Sequence, residues 1–406
     1  ALPQNAHSYG GAAYLNAKDV TISRSQFSAN LAHQEGGALS LRNTGRNATV
    51  EHCDFEANVA GPANLPSGGA IDSRTPLVLR HNLFHGNQAR SASAQIGTSH
   101  GGAVMAIALT STGDLFSENH ADFGGALSAS GAVAIDRAVF RENSSIDGGA
   151  AIGLNGMFLY STQKIHNVLF IGNRDTGATT GSTLYCYNQC QIVNSLFDGN
   201  LTAATVYFAR GSEANINVVA NSVFLGGGER LIDSNASSNP ATRVTLINNF
   251  IDQERIATPA EFRHASGNFV TSDAGLDDHY RPVTGSVLID SGLTQPALFT
   301  LPTSDHAGQA RTAGMAVDVG PYEHASFSIT DPGPGDGTDA GGGDGGANGP
   351  GSNLDPGTPG DTGNEVHGPG PADDSLSFSD AVGGGSLDAV GLLVLGLLAG
   401  WWRPRS

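Results

Sequence analysis

The run Gly68-Gly69-Ala70-Ile71, followed by Phe84-His85-Gly86-Asn87, sets out a pattern that much of the chain repeats. Gly-Gly-Ala recurs at Gly10, Gly36, Gly101, Gly124 and Gly148, usually ahead of an aliphatic residue such as Leu39, Val104 or Leu127. Phe-x-x-Asn occurs seven times, at Phe27/Asn30, Phe55/Asn58, Phe84/Asn87, Phe116/Asn119, Phe140/Asn143, Phe170/Asn173 and Phe197/Asn200. Phe224 and Phe250 keep the rhythm without the Asn, and successive Phe residues stand 28, 29, 32, 24, 30, 27, 27 and 26 apart. A steady period in the range of roughly 20–50 residues is the mark of a repeat architecture.

The segments ahead of each Phe align as well. Five residues upstream stand Ile22, Val50, Leu79, Ile135, Ile165, Ile192 and Val219, and two upstream stand Ser25, Cys53, Asn82, Ala138, Ser195 and Ser222. Such short β-branched runs between Gly and Asn turns read as strands, and repeats of this length that cannot bury a face alone must stack. The expected fold is all-β, a right-handed parallel β-helix over residues 1–270. Coils stacked at the inter-strand spacing place equivalent residues in ladders. A Phe ladder fills the interior, and an Asn ladder satisfies backbone groups at a turn. The Gly pair supplies backbone conformations closed to residues with a Cβ.

The net charge is −18 over 406 residues, with 20 Lys+Arg against 38 Asp+Glu. That balance argues against nucleic acid as a partner, because phosphate binding needs a basic face. Three cysteines form no disulfide framework and lack zinc spacing. Cys186 and Cys190 could bridge one tight loop in an exported chain, or stand as two ordinary thiols. Cys53 falls in a core ladder. The opening at Ala1-Leu2-Pro3 reads as truncated or processed.

Residues 325–386 form a Gly/Pro/Asp-rich linker: 331–386 carries 18 Gly and seven Pro with no Lys or Arg. It is expected to be disordered, with a reach of about 40 Å. Residues 387–406 then hold an uncharged apolar run from Ala389 to Trp402, closed by Arg403-Pro404-Arg405. That is short of the ~20 residues of a usual span, yet its Trp pair and basic end suit an interface.

Three resemblances follow from these motifs. The Gly-Gly-Ala and Phe-x-x-Asn repeats resemble those of the chlamydial polymorphic outer-membrane proteins and of bacterial β-helix surface proteins. Ser286-Val287-Leu288-Ile289-Asp290-Ser291-Gly292, then Asp305, Gly308 and Arg311, then Asp318-Val319-Gly320-Pro321-Tyr322-Glu323, is similar to the choice-of-anchor Q region. Residues 271–324 are accordingly expected to cap the solenoid, with Arg311 paired to an acid at its open end. Gly383-Gly384-Gly385-Ser386, the apolar run and Arg403/Arg405 resemble a GlyGly-CTERM sorting signal. That resemblance implies a Gram-negative bacterium, type II secretion, a membrane helix before processing, cleavage by a rhombosortase-like protease and attachment at the cell surface.

Insertions between Asn and the next Gly-Gly vary most, so the Val59–Ser67 and Gln88–His100 loops are the candidate recognition elements, with Asn64, Gln88, Arg90 and His100 as binding residues. Asp290, Asp305, Asp318 and Glu323 invite a Ca²⁺ reading, against which Asp-Ser-Gly and Asp-Val-Gly read as turns capped by Asp. No cofactor is implied. The motifs of pectate-lyase-like and polygalacturonase-like sites are absent, and Asp114 and Asp136 remain as a carboxylate pair for acid/base work. The function expected is binding or adhesion to glycan, matrix or another cell. The alternatives are a surface polysaccharide lyase or glycoside hydrolase, and a stalk that displays nothing.

Overall fold

A computed structural model describes residues 8–324, apart from 43–46, 93–97, 157–162, 178–180, 210–215, 235–243, 253–261 and 272. The sorting motif Gly383–Ser386, Arg403 and Arg405 lie outside the described residues. The described chain is an all-β parallel solenoid with no helix. Its strands stack into a nine-stranded sheet that starts at Ala13–Leu15, and into two ten-stranded sheets. The first of these starts at Val20–Ser23 and the second at Gln26–Ser28. Each coil thus contributes a strand to each sheet, and every ladder pairing is parallel, as Leu39↔Ile71↔Val104↔Leu127 illustrates. Among the described residues no helix is long and apolar enough to cross a membrane.

The interior is built from the predicted rows. Phe27, Phe55, Phe84, Phe116, Phe140, Phe170, Phe197 and Phe224 stack with ring centroids 4.5–5.4 Å apart and planes within 13°. Phe250 does not join them. It pairs with Val223 and faces outward, while Ile251 pairs with Phe224 and takes the inward place. The true step is therefore one residue longer than the Phe spacing implied.

At the following turn, Asn30 to Asn200 form a continuous amide ladder. Asn58 is typical: its Nδ2 donates to Asn87 Oδ1 at 2.9 Å and to the Phe27 carbonyl at 2.8 Å, and its backbone N–H donates to the same Asn87 oxygen at 3.0 Å. Each rung satisfies backbone and side-chain groups that the core would otherwise leave unpaired. A second inward row, two residues before each stacked Phe and before Ile251 and Val270 in the last coils, works likewise through Asn82, Asp114, Ser195, Ser222, Asn249 and Asn268.

The two glycines of each pair have different reasons. Gly68 has φ +61°. Gly69 does not need a left-handed backbone; a Cβ there would lie 1.9 Å from the Gly102 carbonyl oxygen and 2.5 Å from Gln88 N. Two backbone segments cross at that point, so only hydrogen fits. In the repeat at Gly148 the register slides: Gly149 takes the left-handed position at φ +64°, and Ala150 follows it.

Residues 273–323 run along the flank of the later coils. Outward-facing Leu169, Leu196, Val223 and Phe250 are buried beneath Ala274, Leu288 and Val319. Val193, Val218 and Ile247 pack against Phe299 and Leu293. The outer turn residues Asn167, Asn194, Asn221 and Asn248, all at φ 48–55°, donate side-chain hydrogen bonds to the carbonyls of Ser304, Asp318, Leu293 and Ser291. The physical reason is the outward apolar rows of the later coils, which need a cover.

Candidate functional site: the outer face of the nine-stranded sheet

The residue just before each Gly pair and the residue five positions later meet on this face. Tyr9, Glu35, Ser67, His100 and Phe123 are bridged in succession, above outward positions Tyr14, Ser40, Asp72, Met105 and Ser128. The Gly corner folds the chain back over the sheet, which is why Asp72 is fully buried although it points out of the solenoid.

At the N-terminal end of the face stands an ionic cluster. Arg42 pairs with Glu35 and, at 2.8 Å, with Asp72. Arg74 reaches both carboxylates at 3.1 Å, and the Ser67 hydroxyl donates to Asp72 at 2.5 Å. Arg42 also lies 5.8 Å from the Tyr9 ring centre. Two buried carboxylates are thus each held by two guanidinium groups, an arrangement that engages both acids in fixed ion pairs.

Further along, the face becomes aromatic. Phe123 lies over Gly153, where a Cβ would stand 2.4 Å from its ring. It meets Tyr185 edge-on at 5.2 Å, and Tyr185 stacks on Tyr207 at 5.1 Å. Asp233 follows Tyr207 in register and pairs with Arg230 at 2.9 Å. Burial, with the Asp233 charge second, pushes the Tyr207 phenol above its ordinary pKa, so it remains a donor at neutral pH. The disulfide Cys186–Cys190 closes the corner beside Tyr185, and Cys53 is a buried free thiol. Phenol hydroxyls, a carboxylate and a guanidinium on a rigid sheet are groups that match sugar hydroxyls.

The predicted recognition loops lead onto this face, but are partly strand. Val59–Ala63 and Gln88–Ser91 form a three-stranded sheet with Leu31–Ala32. Arg90 Nε donates to Gln88 Oε1 at 2.6 Å. Arg90 and Asn64 are exposed. His100 stands apart from them, its ring edge-on to Phe123 at 5.7 Å, and burial pushes its pKa down to about 4. It is neutral at pH 7.

The carboxylate pair Asp114 and Asp136 does not share a groove. Asp114 points inward, accepts from Asn82 N and Nδ2 at 2.8 Å and from the Ser111 hydroxyl at 2.6 Å, and is raised by burial to about 6. Asp136 faces out, accepting from Asn167 Nδ2 at 2.7 Å and pairing with Arg137 at 3.0 Å. Asp136 is in register with Thr112, and the left-handed turn residue that follows this position (Gly113, Arg137) bends the chain between it and the inward position of Asp114.

The acids of 273–323 accept backbone N–H groups: Asp290 from Ala316, Asp318 from Asp290 and His324, and Asp305 from Gln309 and Glu323. Among the described residues, no group of three His, Cys, Asp or Glu side chains is placed to hold a metal. Arg311, almost fully buried, pairs with Glu323 at 3.3 Å and also donates to Asn167 Oδ1 and to the Gly320 and Pro321 carbonyls. Burial, ahead of the Asp318 charge, raises Glu323 to about 7.

Gly97-Thr98-Ser99-His100-Gly101 has the spacing of a nucleophile elbow, but Ser99 is buried, its hydroxyl accepts the Asp122 N–H at 2.8 Å, and the described residues hold no helix behind it. Glu35, Arg42, Asp72, Arg74, Tyr185, Tyr207 and Asp233 escape the repeat reading. The signal for Glu35 was the position before Gly-Gly, which is polar or aromatic at Tyr9, Glu35, Ser67, His100 and Phe123. Comparison with known protein families, characterised proteins and solved structures gives no match to this chain.

Proposed function

We propose that this chain is an exported β-solenoid, anchored at the surface of a Gram-negative cell through its GlyGly-CTERM-like tail, that binds glycan along the outer face of its nine-stranded sheet. The observation that carries the reading is the row Tyr185, Tyr207 and Asp233, with Arg230 beside it, projecting from successive coils at one coil rise. Sugar hydroxyls spaced along a linear chain find donors and acceptors there without any rearrangement of the scaffold. The paired state of Glu35 and Asp72, and the separation of Asp114 from Asp136, favour binding over glycosidic cleavage.

The test is a glycan array together with a polysaccharide depolymerisation assay on the full chain. Binding without new reducing or unsaturated ends, lost in Tyr185→Ala/Tyr207→Ala, is the expected result. Release of ends by the unmodified chain would replace this reading with the enzymatic one.

A further inference from the structure

The first ten-stranded sheet has an open stretch in its early coils that the tyrosine row does not share. Here the outward residues are Thr49, Val78, Thr110, Ala134 and Lys164 in one row, and Glu51, Arg80, Thr112, Asp136 and His166 in the next. A shallow groove of about 350 Å³ runs across these coils. Its floor is Val78, Thr110 and Ala134, its wall Pro76 and Ala108, and Lys164 stands at one end. Beyond Lys164 the covering segment begins: Asn167 Nδ2 donates to the Ser304 carbonyl at 2.9 Å, and the His306 ring bonds the Asn167 carbonyl at 2.7 Å. The groove is therefore open along the early coils and bounded at that end.

Its charge runs against that of the chain. Lys164 lines the groove, Arg80 stands in the adjacent outward row two residues along the strand from Val78, and the turn row beyond it carries Arg24, His52, His81 and Arg137, all four at left-handed φ. His52 and His81 stack at 5.3 Å. The acids among these rows are Glu51, 3.9 Å from Arg80, and Asp136, 3.0 Å from Arg137. Four permanent cations thus stand against two carboxylates on a chain of net charge −18. A cationic strip on an acidic body focuses anions to itself. Permanent cations stand on the first, third, fifth and sixth coils of this sheet. With coils about 4.8 Å apart they form a line of charges mostly two coils apart, which fits a ligand whose negative charges repeat along a line. The small, flat floor admits a sugar ring and offers no aromatic side chain for stacking a base.

We infer that this groove is a second binding site, independent of the tyrosine row, and that its ligand is a linear anionic polysaccharide bearing carboxylate or sulfate groups. The polymer lies along the solenoid axis, its acidic groups toward Arg80, Lys164 and the Arg24–Arg137 turn row. Carboxylate and sulfate glycans share this chemistry, and the experiment separates them.

The full chain is titrated with polygalacturonate, chondroitin sulfate, dextran and single-stranded oligo-dT, at low and at physiological salt. Binding of one or both acidic glycans is expected, weakened at least 10-fold by Lys164→Glu/Arg80→Glu and about 3-fold by the milder Lys164→Gln, and falling with salt. Polygalacturonate or chondroitin sulfate binding alone assigns the carboxylate or the sulfate class. Tyr185→Ala/Tyr207→Ala is expected to leave this binding unchanged, which separates it from the glycan site proposed above. Equal binding of dextran or oligo-dT, loss in the tyrosine variant, or retention in both groove variants overturns the inference.

Discussion

The strands Leu77–Arg80 and Asn217–Ala220 belong to one sheet and differ in a single respect. In the first, burial alternates, with Leu77 and Leu79 inside and Val78 and Arg80 outward. In the second, all four residues are buried. The inward rows are continuous between them, so the interior does not distinguish early from late coils. What differs is the outward row: Thr49, Thr110 and Lys164 in the early coils, against Val218 and, one row over, Ala220 and Ile247 in the late ones. The covering segment lies over the coils where the outward rows turn largely apolar, and its Leu298 carbonyl accepts a hydrogen bond from the polar Gln191 among them. A solenoid therefore carries two independent messages, an inward one that sets the coil and an outward one that decides where the surface is covered.

The sharpest test of the shared message is the Phe row. Phe116→Ala in an early coil and Phe197→Ala in a covered one are each expected to cost about 3–5 kcal/mol, read by chemical denaturation. A markedly cheaper Phe197→Ala would mean that the cover, and not the ladder, holds the late coils.

The second message is broken by Arg311→Met, which keeps the aliphatic stem and strands Glu323. A loss of about 3 kcal/mol is expected. Hydrogen exchange should rise in Leu196–Asp198 and Asn217–Ala220 and stay unchanged in Leu77–Arg80; a uniform rise would show that the segment stabilises the whole solenoid.

Asp114 gives an effect of opposite sign confined to the early coils. Its carboxyl is raised to about 6 in the folded protein, above the unfolded value of about 3.9. The folded state thus binds more protons between those values, and stability falls as pH rises from about 4 to about 6. Asp114→Asn should remove that slope, adding about 3 kcal/mol at pH 8 and nothing near pH 3. A variant that is destabilised at pH 8 would show that the charged form is preferred by its three hydrogen-bond donors.

The smallest effect addresses the comparison most directly. Val218→Thr places a hydroxyl beneath Phe299 and Leu293 and should cost about 1–2 kcal/mol. Val78→Thr, in the open half, should stay within about 0.5 kcal/mol.

Much of the inward message was legible in the sequence, because a ladder repeats residue types at a fixed step. Phe27 to Phe224 and Asn30 to Asn200 could be lined up by eye. Phe250 was misplaced because a Phe one residue early mimics the rhythm, and only the pairing Phe224↔Ile251 resolves it. The outward message was far less legible. Arg311 and Asn167 are 144 residues apart, and no local pattern announces such a contact. Tyr185 and Tyr207 stand only 22 residues apart, in coils that have lost Gly-Gly-Ala, so they fall outside the period. The Glu35–Asp72 cluster depends on the Gly corner folding back over the sheet, a geometry that the motif hints at but does not state.

The amide ladder has a direction. In each rung from Asn30 to Asn173 the donors belong to the earlier coil and the acceptor to the later one. A coil that has just emerged, N-terminus first, holds two donors with no acceptor until the next 24 to 32 residues arrive. Each coil is thus finished by its successor, and the folded region advances as a front that is always one coil behind the growing end. Such a chain has a built-in order of assembly: it can fold while it is still being delivered, and its newest coil alone remains open to whatever meets it.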